Sequence, residues 1–340
     1  MKKILYITNI AVPYRVRFFN ELAKHCSLTV LYESSGCQQR SRAWADSEPI
    51  AHRACYFPKD LPGIRKERYD AIILGCYQTP LQITANLLLR LGKVPFLINL
   101  DGEPFLEGKG LKTWGKRFLL SGAAGYLAAG ENAARSLQAV AGEKSITPYY
   151  FSSLLHRETR REDASQPRTD TILVVGQYFP YKGLDVALEA ARRDPGHAYC
   201  FVGMGRRTKK FLREHTVPEN VRVIPFLQKK ELEWAYETCA LLVLPSRREC
   251  WGLVVNEAAA FGTLIVSTWG SGAAVEFLGE KYPQYLASPG DPEDLLRCIR
   301  LCLEGKDRSA YSAFLREKTK NYDIERSVQA HLTALEGELP

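Results

Sequence analysis

Short apolar runs of strand length recur along this chain, each followed by a stretch of helical spacing, and this alternation restricts the possible folds more than any other feature. In the first half they are KILYIT (3–8), LTVLYE (28–33), AIILG (71–75), VPFLINL (94–100) and AGYLAAG (124–130). In the second half they are TILVVG (171–176), AYCFVGMG (198–205), VRVIPF (221–226), ALLVLPS (240–246) and TLIVST (263–268). Strands that are apolar on both faces and alternate with helices build parallel sheets covered by helices. In RVRFFNELAKH (15–25), Val16, Phe19, Leu22 and Ala23 share one helical face, which reads as core packing. The expected architecture is α/β: two facing Rossmann-like domains with an interdomain cleft and a C-terminal helix. A length of 340 residues also exceeds what one core usually absorbs.

Between 157 and 169 the text RETRREDASQPRT is charged, lacks an apolar period and holds Pro167, which marks a linker. The expected domains are thus 1–160 and 170–320. The tail from Ser309 to Leu335 reads as helix, and 321–340 is expected to pack back on the first domain. No run approaches the roughly 18 to 20 apolar residues of a membrane span, and MKKILYITNI reads as a first strand rather than a signal peptide. Nine cysteines, without a C-x-x-C pair, fit a reduced, cytoplasmic compartment. Charge is uneven: residues 1–168 hold 24 Lys plus Arg against 15 Asp plus Glu (+9), and residues 169–340 hold 22 against 23 (−1). A basic half beside a neutral one points to an anionic partner such as a phospholipid surface, a lipid-linked phosphate or nucleic acid, or to a solvated surface with no partner.

In parallel sheets of this kind ligands bind outside the carboxyl ends of the strands, so the loops after strands are where chemistry is sought. One such loop is GQYFPYKG, where Gly176 ends a strand and Lys182-Gly183 opens a helix carrying Val186, Leu188 and Ala190. A lysine at a helix mouth, beside a glycine that allows close approach, can hold a diphosphate. Taken alone, the pattern equally describes an exposed lysine starting a helix, and it is neither a Walker loop nor a dinucleotide fingerprint. The other is PSRRECWGLVVNEAAAFG (245–262). Glu249 falls in the loop, Trp251-Gly252 opens a helix, and Glu257 lies inside it among apolar neighbours. At the helical rise the two carboxylates are at most about 12 Å apart, the scale of a nucleotide sugar. A carboxylate partly buried there needs partners, which sugar or ribose hydroxyls or the neighbouring backbone can supply.

The order strand–G-x5-K-G, a G-x-G turn at Gly203 and Gly205, the segment VIPF, then P-S-x-x-E-x-W-G-L-x-x-x-E-A-x-A-x-G and G-x-x-x-E (Gly272 to Glu276) resembles the retaining glycosyltransferases of family 4, which have the GT-B fold. The resemblance is close over 170–300, and NIAVPYRVRFFNEL is similar to the opening of members that build bacterial cell-surface polysaccharides. It implies a hexosyltransferase that uses a nucleotide-sugar and a lipid-linked or glycan acceptor. In that scheme Lys182 contacts the diphosphate, Glu249 the sugar hydroxyls and Glu257 the ribose. Gly252 and Leu253 bring helix amides to the phosphate, with Trp251 opening the same helix. Pro225, Phe226 and Leu227 lie near the base, with Gly176, Gln177 and Gly203 completing the donor site. Many members have arginine where this chain has Gln177, so Lys182 and the helix amides must stabilise more of the leaving group.

On the acceptor side, Pro13, Tyr14 and Arg15 follow the first strand, and Asp101 in LINLDGEP is expected nearest the reacting carbon; an ordinary loop aspartate is the alternative. No D-x-D pair occurs and the six histidines form no ligand pattern, so neither a divalent metal nor another cofactor is expected. Aromatics in the basic half sit in apolar runs, which argues against nucleic acid. The expected partners are therefore the nucleotide-sugar, the acceptor and an anionic membrane contacted peripherally, at the inner face of the plasma membrane. A non-catalytic nucleotide-sugar-binding relative is the second reading, kept open by Gln177.

Overall fold

A computed structural model of the chain describes residues 1–34, 48–60, 69–102, 104, 106, 110–160 and 168–337. The chain divides into two units, Met1–Ser153 with Ile324–Pro340, and Leu154–Asp323. The central part of the linker reading, 161–167, lies outside the described residues.

The first unit is built on a seven-stranded sheet of β1 (Lys3–Ile10), β2 (Ser27–Ser34), β3 (Arg53–Tyr56), β4 (Ala71–Leu74), β5 (Leu97–Leu100), β6 (Gly125–Ala129) and β7 (Ile146–Tyr149). Its strand order is β3-β2-β1-β4-β5-β6-β7, all parallel, with Ile4 opposite Leu28 on one side and Ala71 on the other. The central strands are buried on both faces, which is why each reads as a continuous apolar run. Helices α1 (Pro13–Leu22), α2 (Pro80–Leu91), α3 (Leu111–Ser121) and α4 (Gly130–Ala141) connect them. α1 begins at Pro13, two residues before the expected start, because proline's fixed φ suits the first helical position.

The second unit has a six-stranded parallel sheet of β8 (Thr171–Val175), β9 (Ala198–Val202), β10 (Val221–Ile224), β11 (Leu241–Leu244), β12 (Leu264–Thr268) and β13 (Leu286–Ala287). The order is β10-β9-β8-β11-β12-β13. Its helices are α5 (Leu184–Arg192), α6 (Thr208–Glu214), α7 (Lys229–Thr238), α8 (Leu253–Ala260), α9 (Gly272–Leu278), α10 (Pro292–Glu304) and α11 (Arg308–Thr319). The last helix, α12 (Ile324–Gly337), belongs to the first unit, where its His331 ring packs 4.7 Å from Phe18.

The single helix expected over 309–335 is instead two, broken at 320–323. The break has a physical cause. Tyr322 turns inward onto Phe277, ring centroids 4.7 Å apart, and the fully buried Asp323 meets His156 Nδ1 in a 2.8 Å hydrogen bond, which a continuous helix would not allow.

His52, just before β3, shows how burial sets a charge state. Tyr32 donates to Nε2 at 2.9 Å, and Nδ1 donates to Asn20 at 2.9 Å, so the neutral ring is satisfied on both sides. Burial pushes its pKa down to about 4. The unfolded chain, with an ordinary histidine near 6.5, therefore takes up the proton first. The stability from neutral His52 is complete above pH 6.5 and is lost as pH falls from there toward 4, by up to roughly 3 kcal/mol. Urea unfolding of wild type and His52→Gln at pH 7 and pH 4.5 checks this: the wild type is expected to lose more stability than the variant on acidification.

Candidate active site in the second unit

In the second sheet the strand order reverses between β8 and β11, and the loops after these two strands hold the residues singled out from sequence. A crevice outside such a switch point is where parallel α/β sheets bind ligands. After β8, Gly176 and Gln177 lead to a short 3-10 turn, Pro180–Lys182, that presents Lys182. Gly183 follows with φ +66 and starts α5; a Cβ there would run into the carbonyl of Pro245, so only glycine lets the two loops close on each other.

The loop after β11 answers it. Lys182 Nζ forms an ion pair with Glu249 Oε2, and both side chains are mostly buried, 23% and 15% exposed. Ser246 Oγ lies 3.5 Å from the same oxygen. The Glu249 backbone is strapped to the loop after β12, donating to Gly270 at 2.8 Å and accepting from Gly272 at 3.1 Å. Arg248 N donates to Tyr181 O at 3.1 Å, and Arg247 grips Asp185 with two bonds of 2.8 and 2.7 Å. Lys182 and Glu249 are thus held from both sides. An ammonium and a carboxylate meeting at a switch point, beside the Gly252 (φ +103) that opens α8 at Leu253, can bind a diphosphate and a polyol together.

The other expected donor residues follow the same edge. Gly203, at φ +95 after β9, lies against Gly176, and Gly203 and Gly205 donate to Ile224 and Pro225 at 3.2 and 2.8 Å. Phe226 and Leu227 continue that loop half-buried. Glu257 is half-buried on α8 and accepts from the Tyr236 hydroxyl at 3.0 Å. Burial, and then the charge of Glu257, drive the Tyr236 pKa well up, so this phenol keeps its proton and donates.

Trp251 departs from its expected place in the donor site. It is 3% exposed, and its indole N–H is spent on the fully buried Asn256 at 2.9 Å. Its side chain props the loop from behind, and its carbonyl accepts from Ala273 N at 2.8 Å. Sequence reasoning passed over Tyr236, Ser246 and Arg207. The guanidinium of Arg207 sits 4.0 Å over the Phe179 ring, which stacks on Tyr181 beside Lys182, and its position just after the G-x-G turn was the available signal.

In the first unit Arg15, on α1 after β1, and Asp101, in the loop after β5, come together. Arg15 Nη2 pairs with Asp101 Oδ2, while Asp101 Oδ1 accepts from Asn99 at 3.1 Å and from Tyr149 at 3.1 Å. The asparagine is reached in turn by His331 of α12 at 3.1 Å. Pro13 is the first residue of α1, and Tyr14 packs edge-on against Phe151 at 5.8 Å.

Residues 156–322 match the family model described as Glycosyl transferases group 1, a span nearly coincident with the second unit. The chain carries a group 1 glycosyltransferase domain. An uncharacterized glycosyltransferase of Haemophilus influenzae is 28% identical over 167 residues, 47% of this chain and 47% of that protein. The sulfoquinovosyl transferase of Arabidopsis thaliana is 27% identical over 202 residues, 58% of this chain and 39% of that one. The chain thus spans about half the length, or less, of these curated relatives. Among solved structures, the HepE protein of Anabaena in complex with UDP and glucose superposes with a TM-score of 0.76 at 15% identity, over 99% of this chain and 100% of that one. Sucrose-phosphate synthase from Thermosynechococcus elongatus gives 0.72 at 16% identity, over 98% of each chain. The fold is that of the GT-B glycosyltransferases. Within the glycosyltransferase domain, Lys182, Glu249 and Glu257 all lie on the carboxyl-end side of the β8–β11 switch point or in the helix that follows it.

Proposed function

We propose that this protein is a retaining, metal-independent hexosyltransferase that moves a sugar from a nucleotide-sugar to a lipid-linked glycan acceptor in cell-surface polysaccharide biosynthesis, working at the cytoplasmic face of a membrane. The observation that carries the reading is the Lys182–Glu249 pair at the switch point of a group 1 domain. In the proposed mechanism the Lys182 ammonium turns to the donor diphosphate and Glu249 accepts from hydroxyls of the sugar. The α8 amides at Leu253 face the phosphate, and Glu257, oriented by Tyr236, accepts from the ribose. The bond from the anomeric carbon to the phosphate oxygen breaks, and its electron pair leaves with the diphosphate. The acceptor oxygen bonds to that carbon from the same face, and its proton passes to a phosphate oxygen. On the first unit, Arg15 and Asp101 are assigned to the acceptor side. Metal independence rests on the lack of a D-x-D pair in the sequence, and the cytoplasmic assignment on nine cysteines without a paired motif.

Solved structures of this fold that hold UDP and UDP-glucose make UDP-sugars the first donors to test. A cognate donor at about 100 times its Kd stabilises the folded state by about 2.7 kcal/mol. For a unit of this size that corresponds to an upward shift of about 5–10 °C in the melting of the second unit. Differential scanning fluorimetry against a panel of UDP-, GDP- and other nucleotide-sugars is expected to show this shift for one base, and to lose it in Glu257→Gln. A panel with no stabilising donor would overturn the proposal.

A further inference from the structure

α2 and α3 of the first unit present an outward face that no function described so far uses. α3 buries only Leu120 completely, while Leu111 and Trp114 on it are 83% and 64% exposed. On and just after α2, Leu88, Leu91 and Val94 are exposed, Leu91 at 81%. Scattered surface leucines are ordinary; here they are joined. Asn86 donates to Leu119 O at 3.0 Å and Arg90 to Phe118 O at 2.6 Å, which locks the helices side by side. The Arg90 guanidinium lies 4.2 Å over the Phe118 ring, and Phe118 stacks on Trp114 at 5.7 Å. Leucines of α2 and aromatics of α3 therefore flank one bridging arginine.

The charged residues of the two helices and the turns that close them have one sign. Residues 80–95 and 110–122 contain Arg90, Lys93, Lys112, Lys116 and Arg117, and no Asp or Glu. Exposed leucine and tryptophan side chains on helices whose own charges are all cationic match a surface that is apolar a few ångströms in and anionic on top, with Lys93 and Lys112 free to place their stems along the apolar layer and their heads in the phosphate layer. No helix among the described residues is long and apolar enough to cross a membrane, so this geometry lies on a bilayer rather than spanning it.

We propose that the α2–α3 face is the membrane-docking surface of this protein, entering the headgroup region of an anionic bilayer through Leu88, Leu91, Leu111 and Trp114. The assignment rests on the reading that the acceptor is held at a membrane, and it names the part of the chain that meets it.

The test is co-sedimentation of the full chain with vesicles of phosphatidylcholine containing 30 mol% phosphatidylglycerol, and with pure phosphatidylcholine. Wild type is expected to bind the anionic vesicles, more weakly at 0.5 M salt, and to leave the neutral ones in solution. Leu91→Ser with Trp114→Ala, and separately Lys93→Glu with Lys112→Glu, are each expected to lower the apparent affinity roughly tenfold or more. These side chains are exposed, so hydrogen exchange of the β1 and β5 amides, in the same unit, should match wild type and confirm folding. Equal binding by wild type and both variants overturns this surface while leaving the membrane reading in place. Wild type that ignores anionic vesicles overturns both, and donor binding stands apart from either result. A concentration-dependent dimer that the Leu91/Trp114 variant dissolves, without vesicle binding, assigns the face to a second copy of the chain and overturns the lipid assignment.

Discussion

Lys182→Ala is expected to lower kcat by about 10²–10³-fold while leaving the fold intact, the loss typical of removing one fixed donor from a site that stabilises developing charge. The argument is local. Lys182 is presented by a proline-started turn and a left-handed glycine, and its only ion-pair partner among the described residues is Glu249. With the ammonium gone, the carboxylate of Glu249 remains, strapped by its backbone to the loop after β12, and now faces the departing diphosphate with like charge. Gln177, where a second cation would help, contributes dipoles only. Lys182→Arg should recover part of the rate, because the charge returns on a wider head that does not sit in a seat shaped for an ammonium. Steady-state kinetics on a donor found by thermal shift, with the shift repeated on each variant, separates loss of chemistry from loss of binding. Unchanged kcat in Lys182→Ala would remove the β8–β11 crevice from the mechanism.

How much of this was legible in the text of the chain depends on where each element sits. Strands buried on both faces, such as β1, β6, β8 and β11, are uninterrupted apolar runs, and all were found within two residues at either end. Of the four edge strands, β10 was found as VRVIPF and the other three were missed. β3 reads RACY, β7 reads ITPY with a proline, and β13 is two residues long, because a strand with one neighbour or one covered face needs no apolar run. The break between α11 and α12 was missed for a different reason. It depends on Asp323 meeting His156, 167 residues earlier, and no local period carries that information.

The site divides in the same way. Lys182 and Glu249 were placed in loops after strands because loop position is a local property, but that they face each other follows from the sheet order. Trp251 was placed in the donor site because it opens the α8 motif; that its indole is buried and donates to Asn256, five residues on, follows from packing that the motif does not carry. Arg15 and Asp101 were each singled out, yet the network that joins them draws on Tyr149 from β7 and His331 from the last helix, neither recognisable from its own neighbourhood.

That network supports the second large effect, an asymmetry between its two ends. Arg15 is 7% exposed, and its guanidinium depends on the Asp101 carboxylate, whose own side chain is 25% exposed. Asp101→Ala strands a buried cation and also removes the acceptor of Asn99 and Tyr149, and is expected to cost about 3–5 kcal/mol. Arg15→Met leaves a carboxylate that water can reach and that still accepts from two neighbours, so its cost should be well below that. Asp101→Asn keeps an oxygen for Tyr149 and falls in between. Because the chain holds two units, a single unfolding midpoint would mix them; hydrogen exchange of the β1 and β5 amides reads the first unit alone. Turnover adds a separate test on the same proteins. If Asp101→Asn works at the wild-type rate with unaltered donor affinity, the carboxylate serves only to hold Arg15 in place. If the rate falls while β1 and β5 exchange as slowly as in wild type, Asp101 acts on the acceptor itself.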